Sequence, residues 1–183
     1  MEREFFARQP DAVARMLLGK LLVRRLEGGV RAGIIIEVEP YFGAEDPASR
    51  ARRGGDLARV MCGEVCTALV YGVHRQWLLN VVAHEPGLCG AILIRGILPV
   101  DPGTLKPLGR EVLGPGRVTR YFSVDKALHR TYLCDEDSPL RILDGLTFDD
   151  ECISRSPRVG VREDLPIPLN FRIRRECLTR EDF

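Results

Sequence analysis

The chain has 183 residues, of which 45% are hydrophobic and 29% charged, with a formal net charge of +1. That composition belongs to a soluble globular protein with length enough for a proper core, and no apolar run approaches a membrane span. A net charge near zero excludes a uniformly basic surface, so contact with nucleic acid would need a local basic face. Met1-Glu2-Arg3-Glu4 carries both signs of charge, and Phe5-Phe6 follows without a long apolar region. No signal-peptide pattern is therefore read there, and the expected location is cytoplasmic. Residues 10–18 are predicted helical, with Pro10 in the first turn and Gly19 as the stop. Val13, Met16 and Leu17 share one face of that helix and are expected on the core. Residues 21–26 and 30–41 flank Gly28-Gly29, a hairpin signal.

The second of those strands is the most informative segment. Ile34-Ile35-Ile36 is β-branched and reads as buried. Glu37 and Glu39 then alternate with Val38, which puts both carboxylates on one face. A carboxylate at the end of a buried strand is costly unless it is paired or put to use. Pro40 is expected to end the ladder, so the strand delivers an acid and an aromatic, Tyr41, to an edge or cleft. On this stretch alone two readings stay open: acids that meet nearby arginines, or an acid with chemistry to do.

Residues 44–56 are polar and rich in Arg and Gly, and read as an irregular loop. Residues 66–82 hold two apolar arms around 72–76, a second hairpin, and residues 91–97 are predicted as a strand closed by Pro99. A linker-like loop follows at 102–107. Leu113-Gly114-Pro115-Gly116-Arg117-Val118-Thr119-Arg120 is a glycine turn opening into a helix. Exposed amides at such a turn can hold a phosphate, although most such turns are only turns. Short strands are predicted at 140–143, 158–161 and 170–173. No repeat, low-complexity tract or linker divides the chain, so the expectation is one α+β domain over residues 1–183 with a mostly antiparallel sheet.

The basic residues are 24 arginines and only 3 lysines, Lys20, Lys106 and Lys126. Arginine suits bidentate contact with phosphate and carboxylate, but genomic base composition or heat adaptation explains the bias equally well. Asn occurs only at 80 and 170 and Gln only at 9 and 76, a scarcity that fits a thermophile. Arg50, Arg52 and Arg53, then Arg117 and Arg120, then Arg172, Arg174 and Arg175 are candidates for a basic face; a solvated surface is the plainer reading of each. The six cysteines form no C-x-x-C pair, and His74, His84 and His129 are scattered, so no metal or other cofactor is expected. Buried thiols are the simplest reading, and one or two disulfides fit a hyperthermophilic host.

In order and spacing these segments resemble the alkyladenine (3-methylpurine) DNA glycosylase family over residues 5–174. The matching pieces are Phe5-Phe6-Ala7-Arg8, Leu17-Leu18-Gly19-Lys20, Ile36-Glu37-Val38-Glu39-Pro40-Tyr41-Phe42-Gly43 and Glu45-Asp46-Pro47-Ala48-Ser49. They continue with Val70-Tyr71-Gly72-Val73, Leu79-Asn80-Val81-Val82, Ala91-Ile92-Leu93-Ile94-Arg95, the 113–120 turn, and Ser156-Pro157-Arg158-Val159-Gly160-Val161.

The resemblance implies a single domain around a curved antiparallel sheet, with surrounding helices and a protruding hairpin. It implies a cofactor-free monomer acting on the prokaryotic nucleoid. The reaction would be hydrolysis of the bond between a damaged purine and its deoxyribose, and the partner double-stranded DNA carrying that lesion. A base inside a duplex must be flipped into a pocket and its place in the stack filled by a wedge. Residue by residue, Glu39 matches the general base, two positions before the stacking Tyr41; Glu37, on the same face, does not. Arg95 matches the arginine that positions the attacking water, and Asn80 the residue that excludes guanine. Leu93 matches a pocket wall, and Val161 a position whose main chain shapes the pocket. Tyr71 matches the intercalating tyrosine and Val73 a second wedge position. Arg50 stands where the family often has histidine, and Ala68 where it often has a second pocket aromatic. The second hairpin carries extra residues near Arg75-Gln76, which makes His74 and Trp77 alternative wedges. Two other functions stay open: a catalytically inactive damaged-DNA-binding module, and a small-molecule hydrolase using Glu39 and Arg95.

Overall fold

The unbroken run of β-branched residues in the middle of the chain organises everything around it. In the computed structural model, which describes residues 1–178, that run lies in a thirteen-residue strand, β2 (Gly29–Tyr41), buried from residue 32 to residue 40. A strand with both faces buried needs neighbours on both edges and layers above and below it. One edge is taken by β1 (Leu21–Leu26), which in turn pairs with β7 (Leu140–Leu143). The other edge pairs with β5 (Ala91–Val100), and beyond it lie β4 (Gln76–Val82) and β3 (Ala68–Val73). β6 (Val112–Leu113) extends β5, and β8 (Ile153–Ser156) pairs with β9 (Asn170–Ile173), which docks on β2 at Glu37 and Val38. Every pairing is antiparallel, and the sheet is curled. With few helices around it, this is the expected α+β class.

The helices are short. α1 (Arg3–Phe6) leads into α2 (Pro10–Leu17), whose Val13, Ala14 and Leu17 are fully buried, as the helical spacing predicts; Met16 lies at the margin. Gly19 ends α2 with φ +88°, and a Cβ there would sit 2.4 Å from the Leu146 carbonyl oxygen, so glycine is required on two counts. α4 (Pro115–Tyr121) follows Gly114, as the glycine turn predicts, and buries Val118 against the core.

Four expectations need correction. Neither Pro40 nor Pro99 ends its strand: Pro40 pairs with Ile92 and Pro99 with Gly33. Each proline carbonyl turns away from the β2–β5 ladder, toward Arg158 and the Leu108 amide respectively. A residue's N–H points to the same side as its C=O, so no β2–β5 ladder bond is lost. The 44–56 loop is not wholly irregular. It holds a 3₁₀ turn at Arg50–Arg53 and the start of α3 (Gly55–Met61). The strand predicted at 158–161 is a turn with Gly160 at φ +75°; the extended segment lies earlier, in β8. The reason is Arg158, whose side chain is drawn into the protein by two carboxylates.

The fourth correction concerns the cysteines. All six pair, as Cys62–Cys89, Cys66–Cys134 and Cys152–Cys177. Sequence could not show this because partners 25 to 68 residues apart meet only after folding. The longest loop, closed by Cys66–Cys134, corresponds to about 4 kcal/mol in the chain-entropy account. No helix among the described residues is long and apolar enough to cross a membrane.

Candidate active site

Sheet register alone assembles most of the site. Directly opposed residues of antiparallel strands point to the same face, and so do residues two apart. Glu39 pairs with Leu93, Leu93 with Asn80, and Asn80 with Leu69, a row that crosses four strands on one face. Two residues to one side of that row the same face carries Tyr41 on β2, Ala91 on β5 and Val82 on β4, and two residues to the other side it carries Tyr71 on β3. The opposite face carries Val38, Ile92, Val81 and Ala68, all in the main core. Ala68 therefore does not line the site; the aromatic that β3 contributes to it is Tyr71.

α3 covers this face. Val60 and Met61 pack with Leu69, Val82 and Ala91 in a small separate core against Tyr41 and Tyr71. The helix is clamped at both ends. Cys62 is bridged to Cys89, and Asp56 binds His129 and Arg130. The Val70 amide donates to His129 Nδ1 at 3.1 Å, so the ring proton is on Nε2 and donates to Asp56 at 3.0 Å. Hydrogen bonds from His129 and Arg130 hold the Asp56 carboxyl below its ordinary range.

Between sheet and helix lies a cavity lined by Tyr41, Arg50, Met61, Leu69, Tyr71 and Asn80, with Ala91. Its free space is about 10 Å³, room for about one water molecule. The Arg50 guanidinium takes up space in it, 4.8 Å from the centre of the Tyr71 ring. Asn80 is buried, and its Nδ2 donates to the Leu69 carbonyl at 3.0 Å. Four of the predicted residues, Tyr41, Arg50, Tyr71 and Asn80, thus meet around one space. A larger groove of about 980 Å³ elsewhere is lined by Arg110, Glu111, Arg172 and Arg175, among others. It contains two of the basic-face candidates, Arg172 and Arg175, but none of the residues expected in the pocket or at the wedge, and its Glu111 is paired with Arg172 at 2.7 Å.

Glu39 and Arg95 form a polar cluster behind the cavity. The Glu39 side chain is fully buried. Its Oε2 accepts from the Tyr41 hydroxyl at 2.9 Å, and its Oε1 accepts from the Val159 amide at 2.8 Å and Asn170 Nδ2 at 3.0 Å. Arg95 Nε lies 3.2 Å from Glu39 Oε1 and donates to Glu37 Oε1 at 3.0 Å. Asn170 also donates to Glu37, at 3.0 Å. Both acids therefore meet an arginine, and Glu39 alone is joined to the cavity wall, through the Tyr41 hydroxyl. Burial, then the Glu39 charge and hydrogen bond, push the Tyr41 phenol well above its ordinary pKa, so it stays a donor. Arg95 reaches this position because it is left unpaired in the ladder: Gly96 pairs with Glu37 and Ile94 with Val38. Such bulges re-aim a side chain.

The chief residue missed from the sequence is Arg158. Its side chain is fully buried. It donates to both Asp46 oxygens at 2.7 and 2.8 Å, to Asp164 at 2.8 Å and to the Pro40 carbonyl at 3.0 Å, and it lies 4.5 Å from the Tyr41 ring centre. Burial works against its charge, but Asp46 and Asp164 outweigh it and raise the pKa. Asp46 is the converse. Burial pushes its carboxyl up, while Arg158 and the Phe42 and Ala48 amides pull it further down. Arg158 thereby ties the end of β2, the 42–48 loop and the turn whose Val159 amide meets Glu39. Asn170 was also missed as a site residue. The signal for both was a polar side chain inside a matched motif or an apolar strand.

Other predicted residues fall elsewhere. Leu93 is buried in the row between Glu39 and Asn80. Val161 is half-buried past the turn, and the main-chain group that reaches Glu39 belongs to Val159. Tyr71 is not at the hairpin tip. The turn is His74-Arg75, both with positive φ (48° and 62°), and Tyr71 lies three residues earlier, paired with Leu78. Positive φ at both central residues is the type I′ pattern, which here uses no glycine. Val73 pairs with Gln76 beside the turn, and Trp77 is exposed.

Comparison with known proteins places the chain in a family. The family model described as methylpurine-DNA glycosylase matches residues 4–177. A relative from Aeropyrum pernix, named "Putative 3-methyladenine DNA glycosylase", is 45% identical over 175 residues, spanning 94% of this chain and 89% of its own. Relatives of the same name from Salinibacter ruber and Myxococcus xanthus are 37% and 36% identical, spanning 86% and 88% of this chain and 84% and 81% of theirs. With a family model covering nearly the whole chain and the matched motifs converging on one cavity, this protein belongs to the methylpurine-DNA glycosylase family.

Proposed function

We propose that the protein is a monofunctional DNA glycosylase that removes damaged purines flipped out of duplex DNA, acting as a cytoplasmic monomer. The observation that carries this reading is the join between Glu39 and the cavity wall: the ring that would stack on the base holds the carboxylate through its own hydroxyl. A purine stacked on Tyr41 brings its glycosidic bond toward Glu39. As the C1′–N bond breaks, its electron pair leaves with the purine and positive charge develops on the sugar. The carboxylate stabilises that charge and takes a proton from the water that bonds to C1′. Arg95, shared with Glu37, fixes the carboxylate and orients the water. Release of free base from lesion-bearing duplexes, assayed over a panel of methylated, deaminated and etheno purines, tests the activity. Tight duplex binding without release would favour the inactive binding module instead.

Strand cleavage is not part of this chemistry. A lyase needs an amine that forms a Schiff base with the sugar, and no lysine lines the cavity. Borohydride added during turnover should trap no covalent adduct between protein and DNA, and a trapped band on a denaturing gel would refute simple hydrolysis.

The wedge is assigned to the hairpin tip. His74 and Arg75 are exposed at the turn, whereas Tyr71 is half-buried in the cavity wall. A wedge matters only where there is a stack to fill. His74→Ala should therefore slow release from duplex DNA several-fold more than release from a single strand. Tyr71→Ala should slow both alike, because it removes a wall of the pocket. The reverse pattern in paired duplex and single-strand assays would return the wedge to Tyr71.

A further inference from the structure

We infer that Arg50 is a specificity-determining residue that biases the pocket toward neutral 6-oxopurines, such as hypoxanthine, and against cationic methylated purines. The inference rests on the glycosylase reading above. The cavity wall is aromatic and apolar except for Asn80 and Arg50. Asn80 is neutral and already donates to the Leu69 carbonyl. The carboxylates behind the wall are each engaged: Glu37 and Glu39 with Arg95, and Asp46 and Asp164 with Arg158. Arg50, by contrast, makes no ion pair among the described residues and rests on the Tyr71 ring. Two arginines serve four carboxylates behind the wall, so that cluster is not itself neutral, but none of the four lines the cavity: among its lining residues Arg50 alone is charged, and it is positive.

Arg50 is also presented firmly. Ser49 Oγ accepts from the Ala51 amide at 3.1 Å and donates to the Phe42 carbonyl at 2.6 Å, which anchors the 3₁₀ turn to the end of β2. A purine cannot enter about 10 Å³ of free space, so the guanidinium has to yield its place on Tyr71 and meet the edge of the base. It carries only donors. A 6-oxopurine offers two adjacent acceptors, O6 and N7, which arginine reads bidentately. Methylation at N7 removes one of those acceptors and adds a positive charge. Adenine methylated at N3 is likewise cationic and shows a donor amino group at position 6.

Charge development during the reaction points the same way. When a neutral purine departs, electron density accumulates on it, and a guanidinium at its edge stabilises the transition state. A cationic purine starts positive and becomes neutral only after the bond is broken. Both its bound state and its transition state are repelled, the bound state more. The penalty for cationic lesions should appear mainly in KM, and the advantage for neutral ones mainly in kcat.

The test compares kcat/KM on otherwise identical duplexes carrying hypoxanthine or 7-methylguanine, for the native protein and for Arg50→Gln and Arg50→Met. The native protein is expected to prefer hypoxanthine. Both variants should lower the hypoxanthine to 7-methylguanine ratio by about tenfold or more, with the methylguanine KM falling. Inhibition by the free bases, both neutral, supplies a readout of the acceptor pair independent of turnover: free hypoxanthine should compete better than free 7-methylguanine, whose N7 is blocked, and the difference should narrow in both variants to what the 2-amino group against Asn80 leaves. A ratio that stays within about twofold across all three proteins overturns the role of Arg50 while leaving the glycosylase reading intact. Release of neither base by the native protein overturns that reading and this inference with it.

Discussion

Glu39→Gln should abolish base release while leaving lesion binding nearly intact. The amide keeps the shape of the side chain and removes the proton acceptor, and a positioned base contributes about 10²–10⁴-fold. The change is not silent for the network. Glu39 now accepts from the Tyr41 hydroxyl, the Val159 amide and Asn170; a glutamine has one acceptor oxygen, so one of those donors has to find another partner. Thermal unfolding should report that loss separately from catalysis. Single-turnover release and duplex binding measured on the same preparation separate the two effects. A variant that binds and still cleaves at the native rate would remove Glu39 from the role of base. Glu37→Gln is the informative companion. It loses the same charge next to the same Arg95 and Asn170, but it has no bond to Tyr41 or Val159, so most activity should survive.

Arg158→Met should cost more stability than any change in the cavity wall. Removing one partner of a buried ion pair leaves the other charge uncompensated, typically at a cost of about 3–5 kcal/mol. Here the stranded group is Asp46, whose side chain is fully buried; the Phe42 and Ala48 amides still reach it. Denaturant unfolding of the variant should show a midpoint shift of that size with an unchanged slope. A loss below about 1 kcal/mol would mean that the Arg158 network is dispensable. The pH dependence follows from the Asp46 carboxyl, which folding holds below its ordinary value. Such a group contributes stability above its unfolded pKa, and that stability is lost as pH falls through the lowered folded value. The native protein should therefore lose stability on acidification through this range, and the variant, with the ion pair already gone, should lose less. Activity of Arg158→Met at low temperature should fall as well, because the turn that brings the Val159 amide to Glu39 is held by Arg158.

The sequence by itself determined the α+β class and the main strands, and its family resemblance named four residues that meet around the cavity, Tyr41, Arg50, Tyr71 and Asn80. It could do so because these depend on local order: the period of two that puts Glu37 and Glu39 on one face, the β-branched run of β2, and the matched spacing from Glu39 to Tyr41. Tertiary structure alone decided the rest. Only the register across β2, β5, β4 and β3 sets Glu39, Leu93, Asn80 and Leu69 in one row and sends Ala68 to the opposite face. The hairpin turn fell at His74-Arg75, which moved Tyr71 from the expected tip into the wall. The partners of Arg158 lie 6 and 112 positions away in sequence, and the disulfides close loops of up to 68 residues. A buried charge or a thiol carries no local mark of its partner. The energy that fixes it arises only when distant segments have already been packed together by the core.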